Sequence, residues 1–374
     1  MKRIFCIVLV LLFLFVPFGA SALGTSAKAA ILINGDTGEV IYEQNADQCL
    51  PMASTTKIMT ALLLCENGDF DREITVTEEM LRVEGSSMGL LAGDRVTLHD
   101  LLYGLLLASG NDAANVVAYV LGGTVDGFVK MMNDKATELG LKNTNFATPS
   151  GLDAEEHYTT ARDLANLARI AMQNEDFYNA ASSKSAVLEY GNPPYIRSLS
   201  NHNKLLKTFD GAIGVKTGFT KKSGRCLVSA ACRDGKFVIA VTLNDPNDWS
   251  DHASLLEYGI SAIKTTEILP PKTEYNIEVI GGVESKIKIS VGSFTASSLG
   301  DGDFNCTVNL PRFVYAPISA GEKIGTAVYK KGDTVIETAE LYAECAVELA
   351  PIEKSATDEI MENLRYIFKN LWEK

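Results

Sequence analysis

Three short stretches hold the residue types of acyl transfer. In "MASTTKIMTALLLC", residues 52–65, Ser54 precedes Lys57 by three positions at the head of an apolar run. Residues three apart share a helix face, so a helix beginning there sets the Ser54 hydroxyl beside the Lys57 amine. A serine hydroxyl is a poor nucleophile until a base takes its proton. No histidine–aspartate pair stands near Ser54 in the sequence, so Lys57 is the candidate base, and it can act only when neutral. Burial and a second cation, Lys216, would both lower its pKa. "LASGNDAAN" supplies Ser109 and Asn111 at a break between two helical patterns, and "VKTGF" supplies Lys216, Thr217 and Gly218 in a strand-like run. Each motif alone also reads as ordinary structure: a helix cap, a helix stop, an edge-strand charge. Their joint occurrence in this order points to one reactive site.

Several elements must bring these stretches together. "AAILINGDTGEVIYEQNAD" reads as a β-hairpin turning at Gly35 to Gly38. "TLHDLLYGLLLASGNDAANVVAYVLGG" reads as two helices, the first ending near Ala108 and the second capped by Asn111 or Asp112. "VDGFVKMMNDKATELGL" and "YTTARDLANLARIAMQ" are amphipathic helices, the latter capped by Thr159 or Thr160. From Asp210 the period changes to two, and "GAIGVKTGF", "CLVSAACR" and "FVIAVTLND" read as antiparallel strands before a helix in "WSDHASLLEYGISAIK". Strands from both ends of this region must share one sheet with helices packed on it, an α+β arrangement.

Pro270 and Pro271 mark a boundary, beyond which short alternating strands such as "NIEVIGG", "KIKISVG" and "CTVNL" suggest a small β-sandwich or barrel-like domain. After Pro351, "TDEIMENLRYIFKNLWEK" puts Ile360, Leu364, Ile367 and Leu371 on one helix face, joined by Met361, Phe368 and Trp372. That face fits a helix lying in a membrane interface over residues 357–374. At the other end, "MKR", an apolar run and "ASA" have the form of a signal peptide cleaved after Ala22. The expected domains are residues 1–22, 23–268, 269–350 and 351–374.

The chain has 374 residues, 46% of them hydrophobic, a formal charge of −13 and a pI near 4.9. This excludes a disordered chain and an electrostatic nucleic-acid footprint. Six cysteines follow Cys6 of the signal, and buried free thiols are the expectation for them. Cys226 and Cys232 lie an even number apart and should share a strand face. His99, His157, His202 and His252 are scattered, no cysteine–histidine cluster has metal-site spacing, and no cofactor is indicated.

With these motifs in place, the chain resembles the serine D-alanyl-D-alanine carboxypeptidases, the low-molecular-mass penicillin-binding proteins. The resemblance spans nearly the whole chain and includes "GLDAEEHYTTARDLA" and "VKTGFTKKSGRCLVSAA". It implies a β-lactamase/transpeptidase-like catalytic domain, an antiparallel sheet with a helical subdomain, with the three motifs at one cleft. It implies peptidoglycan stem peptides ending in D-Ala-D-Ala as substrates and β-lactams as acylating inhibitors. By the same resemblance Ser54 is the nucleophile, Lys57 the base and Ser109 a proton relay. Asn111 binds the substrate amide, and Lys216 and Thr217 serve the substrate carboxylate. The N–H groups of Ser54 and Phe219 form the oxyanion hole. Gly218 leaves room for substrate backbone along the strand.

The sequence departs from the family in two places. Some members carry a carboxylate-binding arginine before the last catalytic-domain helix, but "NDPNDWSDHASLL" has none, which leaves Arg225 as a candidate. Ser150 stands where histidine is frequent. A class A β-lactamase is one alternative; its E-x-x-L-N element is met only by "ELGLKN", with Lys142 in the asparagine position after Glu138 and Leu141. A non-catalytic wall-binding protein is the other.

Overall fold

The computed structural model describes residues 23–300, 302–351 and 356–372. The signal-peptide reading of residues 1–22 lies outside the described residues. The chain forms two compact units.

The first unit contains residues 23–264 with Ser297–Gly300. Its strands are β1 (Ala29–Asn34), β2 (Val40–Gln44), β3 (Glu73–Thr75), β4 (Arg95–Thr97), β5 (Ser185–Gly191), β6 (Pro194–Ser200), β7 (Ala212–Thr220), β8 (Gly224–Arg233) and β9 (Lys236–Leu243). Five of them make an antiparallel sheet in the order β2-β1-β9-β8-β7, with β7 at an edge. The N-terminal hairpin thus joins the last strand, Ala29 opposite Leu243 and Asn34 opposite Val238.

Alternation along the strands gives the sheet two apolar faces. Leu32, Leu227, Ala231, Val238 and Ala240 pack with Leu255, Leu256 and Ile260 of the helix Asp248–Ala262. Their neighbours Ile31, Ile33, Val228, Ala230, Ile239 and Val241 join the core of the helical layer. At its centre runs the helix Lys57–Asn67, with every residue from Lys57 to Cys65 buried. A helix apolar on all sides belongs inside a core, and this one takes Lys57 inside with it.

Some local readings change. The first helix of the pair ends at Leu106, and the second, Asn111–Gly122, is capped by the backbone of Gly110, so Asn111 and Asp112 lie within its first turn. Thr160 caps the helix Ala161–Ala171, its hydroxyl accepting from Asp163 N–H. The helix Glu175–Ser182 and the four-stranded sheet β3-β4-β5-β6 have no clear sequence signal. All six described cysteines are free thiols, but only Cys65 and Cys226 are buried; Cys49, Cys232 and Cys345 are exposed. Cys226 lies under the sheet whereas Cys232 reaches the strand end, so a shared parity does not bury both.

The second unit is β-rich. β10 (Ile263–Ile268) pairs with β13 (Phe294–Leu299), each strand divided between the two units, while β11 (Glu274–Ile280) lies between β12 (Lys286–Ser290) and β15 (Phe313–Tyr315). β16 (Lys323–Lys331) lies between β14 (Phe304–Asn309) and β17 (Thr334–Tyr342). The two three-stranded sheets share one core that includes Ile277, Ile287, Ile289, Ala327, Tyr329 and Leu341. The final helix, Ala356–Trp372, leaves Ile360, Leu364, Ile367 and Leu371 exposed along one face.

Candidate active site

Ser54 lies in a 3-10 turn, Ala53–Thr56, immediately ahead of the helix Lys57–Asn67. Residues three apart eclipse in such a turn, and Lys57 Nζ lies 3.1 Å from Ser54 Oγ. The turn is entered through Ala53 at φ 48°, a left-handed conformation that costs a non-glycine residue free energy and must be held from outside. Gly151, itself at φ +86°, packs so closely that a Cβ there would lie 1.9 Å from Ala53 O. The Thr56 hydroxyl donates to Ala53 O at 2.8 Å. His157 Nδ1 accepts from Ala147 N–H at 2.9 Å, so Nε2 carries the proton and donates to Thr56 Oγ1 at 2.8 Å. Burial pushes the His157 pKa down to about 4, which keeps this tautomer neutral.

Gly218 of β7 completes the clamp. A Cβ there would lie 3.1 Å from Met52 O, Ser54 N and Thr55 N. This glycine lets the edge strand close on the turn of Ser54, a different reason from the room for substrate backbone expected of it.

Lys57 has three partners. Its Nζ lies 2.7 Å from Asn111 Oδ1 and 2.7 Å from Ser150 O, besides Ser54 Oγ. The two carbonyl oxygens can only accept. In the neutral form the amine has two hydrogens and one lone pair, so that form gives both hydrogens to the carbonyls and turns its lone pair to the Ser54 O–H. Burial first, then the nearby Lys216 charge, hold the Lys57 amine well below the usual lysine range, against an opposing pull from Asp112. Asn111 is fixed in turn, its Nδ2 donating to Glu84 O at 2.6 Å. The Asn111 carbonyl thus orients Lys57, and only its amide N–H remains available to a substrate.

Lys216 points to the same side of β7 as Gly218. Its Nζ donates to Ser109 Oγ at 3.0 Å and to Thr217 O at 2.9 Å. Ser109 is held at φ 57°, a second left-handed non-glycine residue at the site. Burial pushes Lys216 down to about 7, so it is a titrating group near neutrality and not a permanent cation. Ser54, Ser109, Thr217, Gly218 and Phe219 line one open cleft of about 420 Å³, shared with Ser86, His202, Arg225, Asp248 and Trp249. Lys57, Asn111 and Lys216 are buried at the site. The structure therefore brings the three motifs to one place.

Residues 17–247 match the family model described as D-alanyl-D-alanine carboxypeptidase. The chain belongs to this family. Residues 265–349 match the model described as penicillin-binding protein 5, C-terminal domain. D-alanyl-D-alanine carboxypeptidase DacF of Bacillus subtilis is 32% identical over 329 residues, covering 84% of each chain. DacC of Escherichia coli is 31% identical over 354 residues, covering 87% of each. Among solved structures, the D-alanyl-D-alanine carboxypeptidase DacD from Francisella tularensis superposes with a TM-score of 0.64 at 27% identity, covering 88% of this chain and 95% of that one. The protein is a serine hydrolase of the D-alanyl-D-alanine carboxypeptidase class, and these findings do not favour the β-lactamase or non-catalytic readings.

Parts of this carboxypeptidase site have no sequence signal. Asp112, a possible cap by sequence, accepts from the Ser87 hydroxyl and from the N–H groups of Met88, Gly89 and Leu90. It thereby fixes the loop that carries Ser86 into the cleft. His157 clamps the Ser54 turn from 101 residues away. His202, one of the scattered histidines, lines the cleft, where burial and then Lys216 lower its pKa. No periodicity marks a residue whose contact lies a hundred positions distant.

Proposed function

We propose that this carboxypeptidase removes the terminal D-alanine from peptidoglycan stem pentapeptides through an acyl-enzyme on Ser54, and that β-lactams acylate the same serine. The observation that carries this is the Lys57 amine, buried 3.1 Å from Ser54 Oγ with Asn111 Oδ1 and Ser150 O each at 2.7 Å, a setting in which a neutral amine gives both hydrogens to the carbonyls and turns its lone pair to the Ser54 hydroxyl. Lys57 takes the Ser54 proton as Oγ attacks the carbonyl carbon of the last peptide bond. The oxyanion is stabilised by the N–H groups of Ser54 and Phe219. The peptide C–N bond then breaks, and the proton that Lys57 took from Ser54 passes through Ser109, held by Lys216, to the leaving nitrogen, which returns Lys57 to its neutral form. Water, deprotonated by Lys57, releases the shortened peptide and restores Ser54. Thr217, with the Lys216 charge behind it, serves the substrate carboxylate, and Asn111 Nδ2 the substrate amide.

A fluorescent penicillin tests this reading. A carboxypeptidase holds the label for minutes or longer, a β-lactamase turns it over, and a silent protein never takes it. Mass spectrometry should place the adduct on the peptide containing Ser54. An adduct elsewhere, or full activity in Ser54→Ala, overturns the mechanism.

We further propose that the enzyme is exported by residues 1–22 and works peripherally on the outer face of the cytoplasmic membrane. Among the described residues no helix is long and apolar enough to cross a membrane. The helix Ala356–Trp372 exposes Phe368 and Trp372 beside its aliphatic face, which suits interfacial binding through apolar burial. Deleting residues 357–374 should release the enzyme from membranes with its soluble activity intact. Sedimentation of the truncated form with membranes, or release of the full-length form by salt alone, overturns this placement.

A further inference from the structure

A substrate ending in a free carboxylate needs a positively charged donor that it can touch. Lys57 and Lys216 are 0% and 1% exposed, and their amines are engaged with groups of the site. His202 lines the cleft, but burial lowers its pKa and favours the neutral ring. Among the lining residues, Arg225 alone carries a permanent positive charge.

Its placement follows from strand register. Arg225 lies opposite Phe219, and Leu227 opposite Thr217, across the β7–β8 ladder. Cross-strand partners and alternate residues share a face, so Thr217, Phe219 and Arg225 project together. Leu227 shows which face this is, since it packs with the helix Asp248–Ala262. The first residues of that helix, Asp248 and Trp249, lie in the cleft too. Asp248 Oδ1 forms an ion pair with Arg225 Nη2 at 2.9 Å and accepts from Trp249 N–H at 2.9 Å. The Asp248 side chain is 6% exposed and that of Arg225 is 42% exposed. The acid therefore sits behind the guanidinium, and the guanidinium faces the opening. The Trp249 ring lies 5.9 Å from the Arg225 head. The N–H groups of Arg225 Nε and Trp249 Nε1 have no partner among the described residues, so this corner is rich in donors and has a single acid.

We propose that Arg225, held by Asp248 and backed by Trp249, is the substrate-binding group that recognises the terminal carboxylate of the D-Ala-D-Ala peptide, together with Thr217. This rests on the carboxypeptidase reading of the Ser54 site. A carboxylate bound at Thr217 meets a half-exposed guanidinium that is ion-paired on its buried side with Asp248. Arginine suits such shared two-sided pairing because its five donors are fixed in one plane. The charge that the segment 244–256 lacks is thus supplied from the neighbouring strand.

The experiment compares two substrates, a peptide ending in D-Ala-D-Ala with a free carboxylate and the same peptide with a C-terminal amide. Wild-type enzyme should prefer the acid. In Arg225→Gln the kcat/KM for the acid should fall about 10- to 100-fold, the scale of a lost charged hydrogen bond, and the acid-to-amide ratio should collapse towards one. A ratio unchanged in the variant, even with lower overall activity, means that Arg225 acts through structure alone and overturns the proposal. Arg225→Met keeps the apolar stem over Trp249 and reads the same ratio if the glutamine variant does not fold. Penicillin labelling separates the two levels: a wild-type protein that is not acylated at Ser54 refutes the underlying mechanism, whereas an acylated enzyme with an unaltered ratio refutes only the role of Arg225.

Discussion

The two units bury different things. The first buries Lys57, Lys216, His157, His252, Asp112 and Asp248. In the second, among the described residues, no lysine, arginine, histidine, aspartate or glutamate is buried. The non-glycine residues with positive φ (Asn45, Ala53, Ser109, Asp234 and Asn244) all belong to the first unit. Buried charge and strained backbone lower stability, and part of both, Lys57, Lys216, Ala53 and Ser109, lies around Ser54. The β-rich unit shows what an unburdened core looks like: Ile287, Ile289 and Ala327 packed between short sheets. The contrast teaches that the core of the first unit carries ionisable groups at a cost in stability, whereas the described core of the second does not.

The sharpest test of that contrast is the pair of buried lysines. Lys57→Arg should lower Ser54 acylation by about 1000-fold or more, because arginine cannot give up its proton near neutral pH. Lys216→Arg should retain part of the activity. In the wild type the Lys216 charge is lost as pH rises through about 7, so it should set the alkaline limb of kcat/KM. In Lys216→Arg that limb should move upward by more than about one pH unit, since the arginine pKa lies far higher. Equal loss in the two arginine variants would remove the distinction between base and charge.

The next effect belongs to the other unit. Ile289 is fully buried there, and Ile289→Ala should cost about 2–5 kcal/mol in the unfolding transition of the β-rich unit. The penicillin acylation rate should stay within about twofold. A tenfold slower acylation would show that the second unit takes part in the chemistry.

Acid should separate the units further. Burial holds His157 at about 4 and His252 at about 3, both below the ordinary histidine value of 6.5. Between pH 6.5 and about 4 the unfolded chain binds protons that the folded chain refuses, so the unfolding free energy falls as pH falls through this window. From pH 6.5 to 5 the loss should be roughly 1.5 kcal/mol per histidine, read by urea denaturation of the first unit. The four histidines all precede residue 264, so the transition of the β-rich unit should lack this histidine contribution. An acid response of equal size in both units would break the comparison.

The smallest effect tests the clamp alone. Thr56→Val removes the hydroxyl that joins His157 to Ala53 O. It should cost about 1 kcal/mol and slow acylation several-fold while leaving the pH limbs in place. An acylation rate equal to that of the wild type would mean that the turn of Ser54 holds itself.

Much of this is legible in the chain. The hairpin, the Ser54 helix and the strands of "GAIGVKTGF", "CLVSAACR" and "FVIAVTLND" follow from period and turn chemistry, which are local. Ser54, Lys57, Ser109, Asn111, Lys216 and Thr217 stand out by residue type and spacing. Less legible are β3 and β4, each only three residues long, and the hairpin β5–β6, whose alternation is weak. The cap at Gly110 is hidden because Asn and Asp commonly cap helices, whereas here both side chains are used inside the site. The exposure of Cys232 is hidden because strand parity says which face a side chain takes but not whether that face is covered.

The sequence by itself determined which groups are available for the chemistry and in what order they occur, because motif spacing and hydrophobic period are properties of neighbouring residues. Tertiary structure alone decided their states. The Lys57 amine is held by carbonyls of Asn111 and Ser150, 54 and 93 positions away, and the surrounding core withholds water from its charge. Gly218 is required by the backbone of Met52 to Thr55, and Arg225 faces the cleft because Asp248 stands behind it. Burial, proton position and strain depend on what surrounds a group in three dimensions, and for these residues those surroundings come from distant parts of the chain.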